Sequence, residues 1–130
     1  MSVLTTTPLK SAPSAAAGVA ITAATAPTWG AWVEVIAATA APIAIAGVAL
    51  TGGTYSAVWW ELDIGTGAAA AETVITTIRV SAGGEGFPSL YMIPNPVDNV
   101  AASTRLAARL RSSTASATMV VSLSVLEQPL

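Results

Sequence analysis

The 130-residue chain has no cysteine and no histidine. Without cysteine there are no disulfides and no thiolate metal sites. Without histidine the commonest general base, the usual catalytic triads and most zinc centres are lost as well. Together these absences argue against an enzyme before any motif is considered. Charge is scarce too: charged residues make up 9% of the chain, against roughly 25% in an ordinary soluble domain. The net charge of −2 supplies no general attraction to nucleic acid or anionic lipid, so neither partner is expected. A lone monomer with so few charges would expose much uncharged surface, which favours association. The composition therefore points to a chain that works inside an assembly, as a homo-oligomer.

Long apolar runs are missing. The best candidate, residues 36–50, is interrupted by Thr39, Pro42 and Gly47 and is too short to span a bilayer. The N-terminus superficially imitates a secretory signal. Thr, Ser and Pro interrupt its apolar run, and Lys10 is its only basic residue, so no cleaved leader is expected.

What is present reads as β-structure in one domain. Residues 1–28 are rich in Thr, Ser, Ala and Pro and are expected to form an extended N-terminal arm, with a short strand around Val19 and Ile21. The arm either orders on a neighbouring subunit or stays a flexible tail. Residues 29–130 are expected to form the folded domain. Strand-like stretches follow at Trp32–Ile36, at Ile43 to Leu50, and at Tyr55–Ile64, where Trp60, Leu62 and Ile64 share one face. Further strands are expected at Glu72–Ser81, with Val74, Thr76 and Ile78 on one side, and at Leu90–Ile93, ended by Pro94-Asn95-Pro96. Thr104–Ser112 sets Leu106, Ala108 and Leu110 opposite Arg105, Arg109 and Arg111, and Met119–Leu126 closes the chain. Arg105/Arg109 also stand at helical spacing, but the two-residue alternation favours a strand. Seven or eight short strands separated by Gly, Pro, Ser and Asn clusters predict an all-β fold, a single antiparallel β-sandwich with jelly-roll-like topology.

Four groups of residues could carry chemistry. Gly65-Thr66-Gly67-Ala68-Ala69-Ala70 fits the G-x-G-x-x-A dinucleotide fingerprint. A dinucleotide site needs a helix of several turns after the glycines, whereas Ala68–Glu72 leaves room for barely one turn before a strand-like run, Thr73 to Ile78, begins. A turn is the better reading, and no cofactor is expected. Glu61, Asp63 and Glu72 could hold Ca²⁺ or act as an acid/base pair. No calcium-loop spacing or partner acid supports either role, so no metal and no catalytic residue is assigned. Arg105, Arg109 and Arg111 hold three of the five positive charges within seven residues, but a nucleic-acid site would add further basic residues and exposed aromatics. They are expected to pair with carboxylates, within the domain or across a subunit boundary. Trp29, Trp32, Trp59 and Trp60 are four of the seven aromatics. Trp59 and Trp60 must face opposite sides of a strand, which leaves Trp59 outside the core, either half-covered by the arm or at a subunit contact. The candidate contact set is Trp29, Trp59, Glu61, Asp63, Arg105, Arg109 and Arg111.

The segments Pro27-Thr28-Trp29-Gly30-Ala31-Trp32, Leu62 to Glu72 and Thr104 to Arg109 give the chain a resemblance to small structural proteins of tailed-bacteriophage virions, covering roughly residues 27–125. The resemblance implies a β-sandwich virion component with no catalytic residues. The function expected from it is a capsid decoration or cement protein that binds the major capsid protein, assembles as a trimer and sits on the head. The alternatives are a head or tail fibre or adaptor subunit, and a carbohydrate-binding module that stacks Trp29 or Trp59 on sugar rings.

Overall fold

A computed structural model of the chain describes residues 9–12, 18–51, 59–81 and 90–127. These residues build an all-β, sandwich-like fold of antiparallel strands in two sheets, with no helix among them. One sheet holds β1 (Leu9–Ala12), β2 (Val19–Thr22), β4 (Ile43–Thr51), β7 (Leu90–Val100) and β9 (Thr118–Glu127). Its order is β1-β9-β4-β7, with β2 paired to β9 as well. The other sheet runs β3 (Val33–Ile36), β8 (Leu106–Ser112), β5 (Trp59–Thr66), β6 (Thr73–Ser81).

The two-residue alternation explains how the sheets meet. Trp60, Leu62 and Ile64 on β5 and Leu106, Ala108 and Leu110 on β8 turn to one side of their sheet. They meet Val48 and Leu50 on β4 and Met119, Val121 and Leu123 on β9 in a single buried cluster. A fully buried Leu, Ile or Met contributes about 1.5–3 kcal/mol, so this layer is what joins the sheets. The segment before Ser112 is therefore a strand and not a helix. In β4 the alternation slips between Ile45 and Val48, both fully buried. The slip is a β-bulge: Ile45 pairs with Val125 and Gly47 with Ser124, leaving Ala46 as the extra residue.

Three expectations change. Pro94-Asn95-Pro96 does not end the strand begun at Leu90; β7 continues to Val100. It can do so because β7 lies at the sheet edge, where a missing N–H breaks no ladder, and because the register jumps from Ile45↔Val97 to Gly47↔Met92. In β6 the register jumps from Gly65↔Val74 to Ile64↔Thr76, with Ile75 the extra residue. That shift takes Val74 out of phase with Ile78 and leaves it 40% exposed. Within residues 1–28, β1 and β2 lie end to end along β9, from Leu9↔Leu126 to Thr22↔Thr118. Those strands belong to the sheet, with Ala12 and Ile21 in the core. The expected turns at Gly52-Gly53 and residues 82–86, and the start of the Tyr55 strand, lie outside the described residues.

One polar residue ties the loops at an end of the sandwich. Thr39, buried, donates its hydroxyl to the Ala101 carbonyl at 2.7 Å and accepts the Thr104 N–H at 3.1 Å. Its own backbone N–H and C=O bond to Thr104 and Ser103.

Candidate functional site

The outer face of the β3-β8-β5-β6 sheet gathers most of the charged residues among those described. Alternation sends Glu61 and Asp63 of β5 away from the core, and Arg109 and Arg111 of β8 likewise. Strand register then sets Asp63 opposite Arg109 and Glu61 opposite Arg111, with Thr77 and Arg79 of β6 on the other flank. Both Asp63 oxygens are occupied: Oδ2 accepts Arg109 Nε at 2.8 Å and Oδ1 accepts the Thr77 hydroxyl at 2.6 Å. Glu61 Oε2 accepts two bonds from Arg111, at 2.7 and 3.0 Å, and Oε1 takes a longer one, 3.5 Å, from Arg79.

Trp29, Trp32 and Trp59 interleave with these arginines. The Arg109 guanidinium carbon is 4.6 Å from the centres of both the Trp29 and Trp32 rings. Arg111 stands 4.8 Å from Trp29 and 6.0 Å from Trp59, and Arg79 is 5.0 Å from Trp59. The face thus carries a continuous run, Trp32–Arg109–Trp29–Arg111–Trp59–Arg79. Each cation–π contact is worth about 0.5–1 kcal/mol where exposed and about 2 kcal/mol when desolvated. The carboxylates beneath fix the guanidinium planes from the strand side. Trp60, the neighbour of Trp59, is buried in the core. What covers Trp59 includes arginine.

Trp29 and Trp32 reach the same face because the chain between them is not yet a strand. In a regular strand residues three apart would face opposite ways. Here Gly30 N–H bonds to the Leu110 carbonyl at 2.8 Å, and regular pairing with β8 begins only at Val33.

The glycine pattern that imitates a nucleotide loop has a different use. A β-carbon on Gly65 would come within 2.7 Å of Trp32 Cη2 and 3.0 Å of the Thr73 carbonyl, so Gly65 is the seat of the Trp32 ring. Gly67 has φ +120°, a value that L side chains rarely adopt. Its N–H donates to the Arg105 carbonyl at 3.3 Å. Arg105 Nη1 in turn donates to the Gly67 carbonyl and to Glu72 Oε2, both at 3.1 Å, while Nε bonds Glu34 Oε1 at 3.0 Å. The loop is a hairpin connection clamped by one arginine.

That clamp tunes Glu72. Burial works to raise its pKa, but its own backbone N–H, Arg105 and the Ala70 N–H together outweigh burial and hold it below the ordinary 4.5. Desolvation likewise works to lower the Arg105 pKa, and Glu72 and Glu34 more than offset it.

All seven residues expected from the sequence lie on this face or at its end, in two linked sets. Trp29, Trp59, Glu61, Asp63, Arg109 and Arg111 form the ladder; Arg105 forms the clamp beside it. Glu61, Asp63 and Glu72 do not converge as a cation site, and the described residues contain no group of three His, Cys, Asp or Glu placed to hold a metal. Trp32, Thr77 and Arg79 also belong to the ladder and were outside the contact set expected from the sequence. For Arg79 and Thr77 the usable signal was the hairpin: a short connection from Thr66 to Thr73 sets them beside Glu61 and Asp63.

The fold and this face define an all-β, sandwich-like protein with an arginine–tryptophan ladder on one sheet. Comparison with known proteins finds no matching family model, no similar curated protein and no matching solved structure.

Proposed function

We propose that this is a non-enzymatic virion structural protein: a capsid decoration or cement protein that binds the major capsid protein as a homotrimer and braces the phage head. The observation that carries this reading is the combination of strand order and face chemistry. Apart from the β5–β6 hairpin, which stays in one sheet, consecutive strands alternate between sheets: from the β1/β2 edge through β3, β4 and β5, and from β6 through β7, β8 and β9. That alternation is what a jelly roll requires, and jelly rolls serve repeatedly as capsid and lectin domains. Fold alone assigns no function, so the face must choose between these uses. Its carboxylates are held in ion pairs with arginine, which leaves them poorly placed for acid/base work and well placed for passive docking. The Trp29 and Trp59 rings each have arginines against them, which speaks against a sugar-stacking platform.

Purified protein is expected to cosediment with expanded capsids, and capsids lacking it to break at lower temperature. Protein that ignores expanded capsids overturns the decoration reading. Binding to a glycan array that is lost in Trp29→Ala or Trp59→Ala would install the carbohydrate reading in its place.

A further inference from the structure

The β6 edge of the ladder sheet differs from the edges of the partner sheet. Exposed strand edges invite pairing, and proteins blunt them with proline, bulges, short strands or interruptions. In the five-stranded sheet, β7 carries Pro94 and Pro96 with a register jump, and the opposite edge is split into β1 and β2. In the ladder sheet neither edge strand carries proline; β6, past its bulge at Ile75, keeps unbroken register from Thr76 to Ser81, and β3 is a four-residue strand with a register shift between Glu34 and Ile36. Among the described residues, β6 pairs only with β5, and β3 pairs only with β8.

We propose that a second copy of this chain occupies these edges, the β6 edge of one copy adding to the β3 edge of the next, head to tail. Strand direction permits it: each neighbour in the series β3, β8, β5, β6 is antiparallel. A β3 placed beyond β6 in the same orientation continues the alternation.

Charge selects the register. Within the face, Arg109 is matched by Asp63, Arg111 by Glu61 and Arg105 by Glu72. Glu34 and Arg79 are the surplus members, each sharing a partner already engaged elsewhere. Their side chains are 50% and 60% exposed, one on each edge strand, and both on the outer face. Setting Arg79 opposite the next copy's Glu34 keeps outer face against outer face. It also sets Ile78 opposite the next copy's Val35. Beside β3 an open groove of about 370 Å³ runs between the sheets, lined by Ala12, Val35, Ile36, Ile43 and Val125 among others. The partly buried Ile78 side chain would bring apolar surface toward that groove. The interface is heterologous, so it closes into a ring where the rotation per step allows.

This inference deepens the homo-oligomer of the virion reading but does not rest on capsid binding, and its test uses the purified chain alone, without capsids. Sedimentation equilibrium of the wild type is expected to show self-association. Glu34→Arg and Arg79→Glu should each weaken association about tenfold, by replacing attraction with repulsion. The double variant Glu34→Arg/Arg79→Glu swaps the pair across the interface and should recover association to within about threefold of wild type. Circular dichroism checks that each variant is folded; should Glu34→Arg unfold, Glu34→Gln should weaken association about threefold. A monomeric wild type, a folded position-34 variant that associates unchanged, or a double variant no better than the worse single one would each overturn the proposal.

Discussion

Trp32 occupies the space that a side chain at residue 65 would need, with its Cη2 atom 2.7 Å from where the Gly65 β-carbon would stand. The contact joins the first tryptophan of the ladder to the strand that carries Glu61 and Asp63. Gly65→Ala should therefore destabilise the fold by about 1–3 kcal/mol through overpacking, and Gly65→Val by more. Urea unfolding measures both, and tryptophan emission should shift as the ring is displaced. An unchanged midpoint for Gly65→Val would refute the seat.

Asp63 and Arg79 mark the extremes of ion-pair value on this face. The Asp63 side chain is 3% exposed and depends on Arg109, so Arg109→Ala leaves a buried carboxylate short of its cation. The expected loss is about 2–4 kcal/mol, since breaking a buried pair costs far more than the pair is worth. Asp63→Leu with Arg109→Met should recover most of it. Arg79, 60% exposed with a 3.5 Å contact, should cost under about 1 kcal/mol when changed to Ala. Thermal and chemical denaturation of the three variants tests the contrast.

The ladder should also show coupling. A double-mutant cycle on Trp29→Leu and Arg111→Met is expected to give an interaction energy of about 0.5–1 kcal/mol. The same cycle on Trp59 and Arg111, whose separation is 6.0 Å rather than 4.8 Å, should give less. Equal values would mean that the rings are packed without regard to the guanidinium groups.

Glu72 gives the stability curve an acid limb. Its folded-state pKa lies below the ordinary 4.5, because its own N–H, Arg105 and the Ala70 N–H outweigh burial. A lowered carboxylate pKa contributes stability that is fully present above the unfolded value and is lost as pH falls through the folded one. Melting temperature should therefore decline below about pH 4.5, and Glu72→Gln should flatten part of that decline. A variant with the wild-type acid profile would show that the Arg105 clamp does not hold the charge.

Thr39 supplies a test of the loop end. Thr39→Val keeps the shape but removes a donor to Ala101 and an acceptor for Thr104. Losing these two part-buried bonds should cost about 0.5–1.5 kcal/mol. Amide exchange at Thr104 should quicken in the variant.

Much of this was legible along the chain. The alternation in Trp60-Leu62-Ile64, Leu106-Ala108-Leu110 and Met119-Val121-Leu123 assigned strands and their core faces, because burial on one side of a sheet repeats every two residues. The same rule placed Glu61 and Asp63 on one face of their strand and Arg109 and Arg111 on one face of theirs. Three features were not legible for physical reasons. The bulge at Ile75 reverses the facing of Val74, and a bulge has no local signature when the flanking residues are all β-formers. The prolines of β7 read as a stop, because tolerance of proline depends on being at a sheet edge, and edge position is a property of the whole sheet. Trp32 sits on the ladder because the chain ahead of Val33 is irregular, which no period describes.

The sequence by itself determined that this protein is all-β, poor in charge, free of cysteine and histidine, and able to turn a carboxylate face and an arginine face away from its core. Only the tertiary structure decided that these are one face. Period and composition act within a strand, whereas the partner of Asp63 is chosen by register between strands 46 residues apart in sequence, and register follows from how the shared core packs.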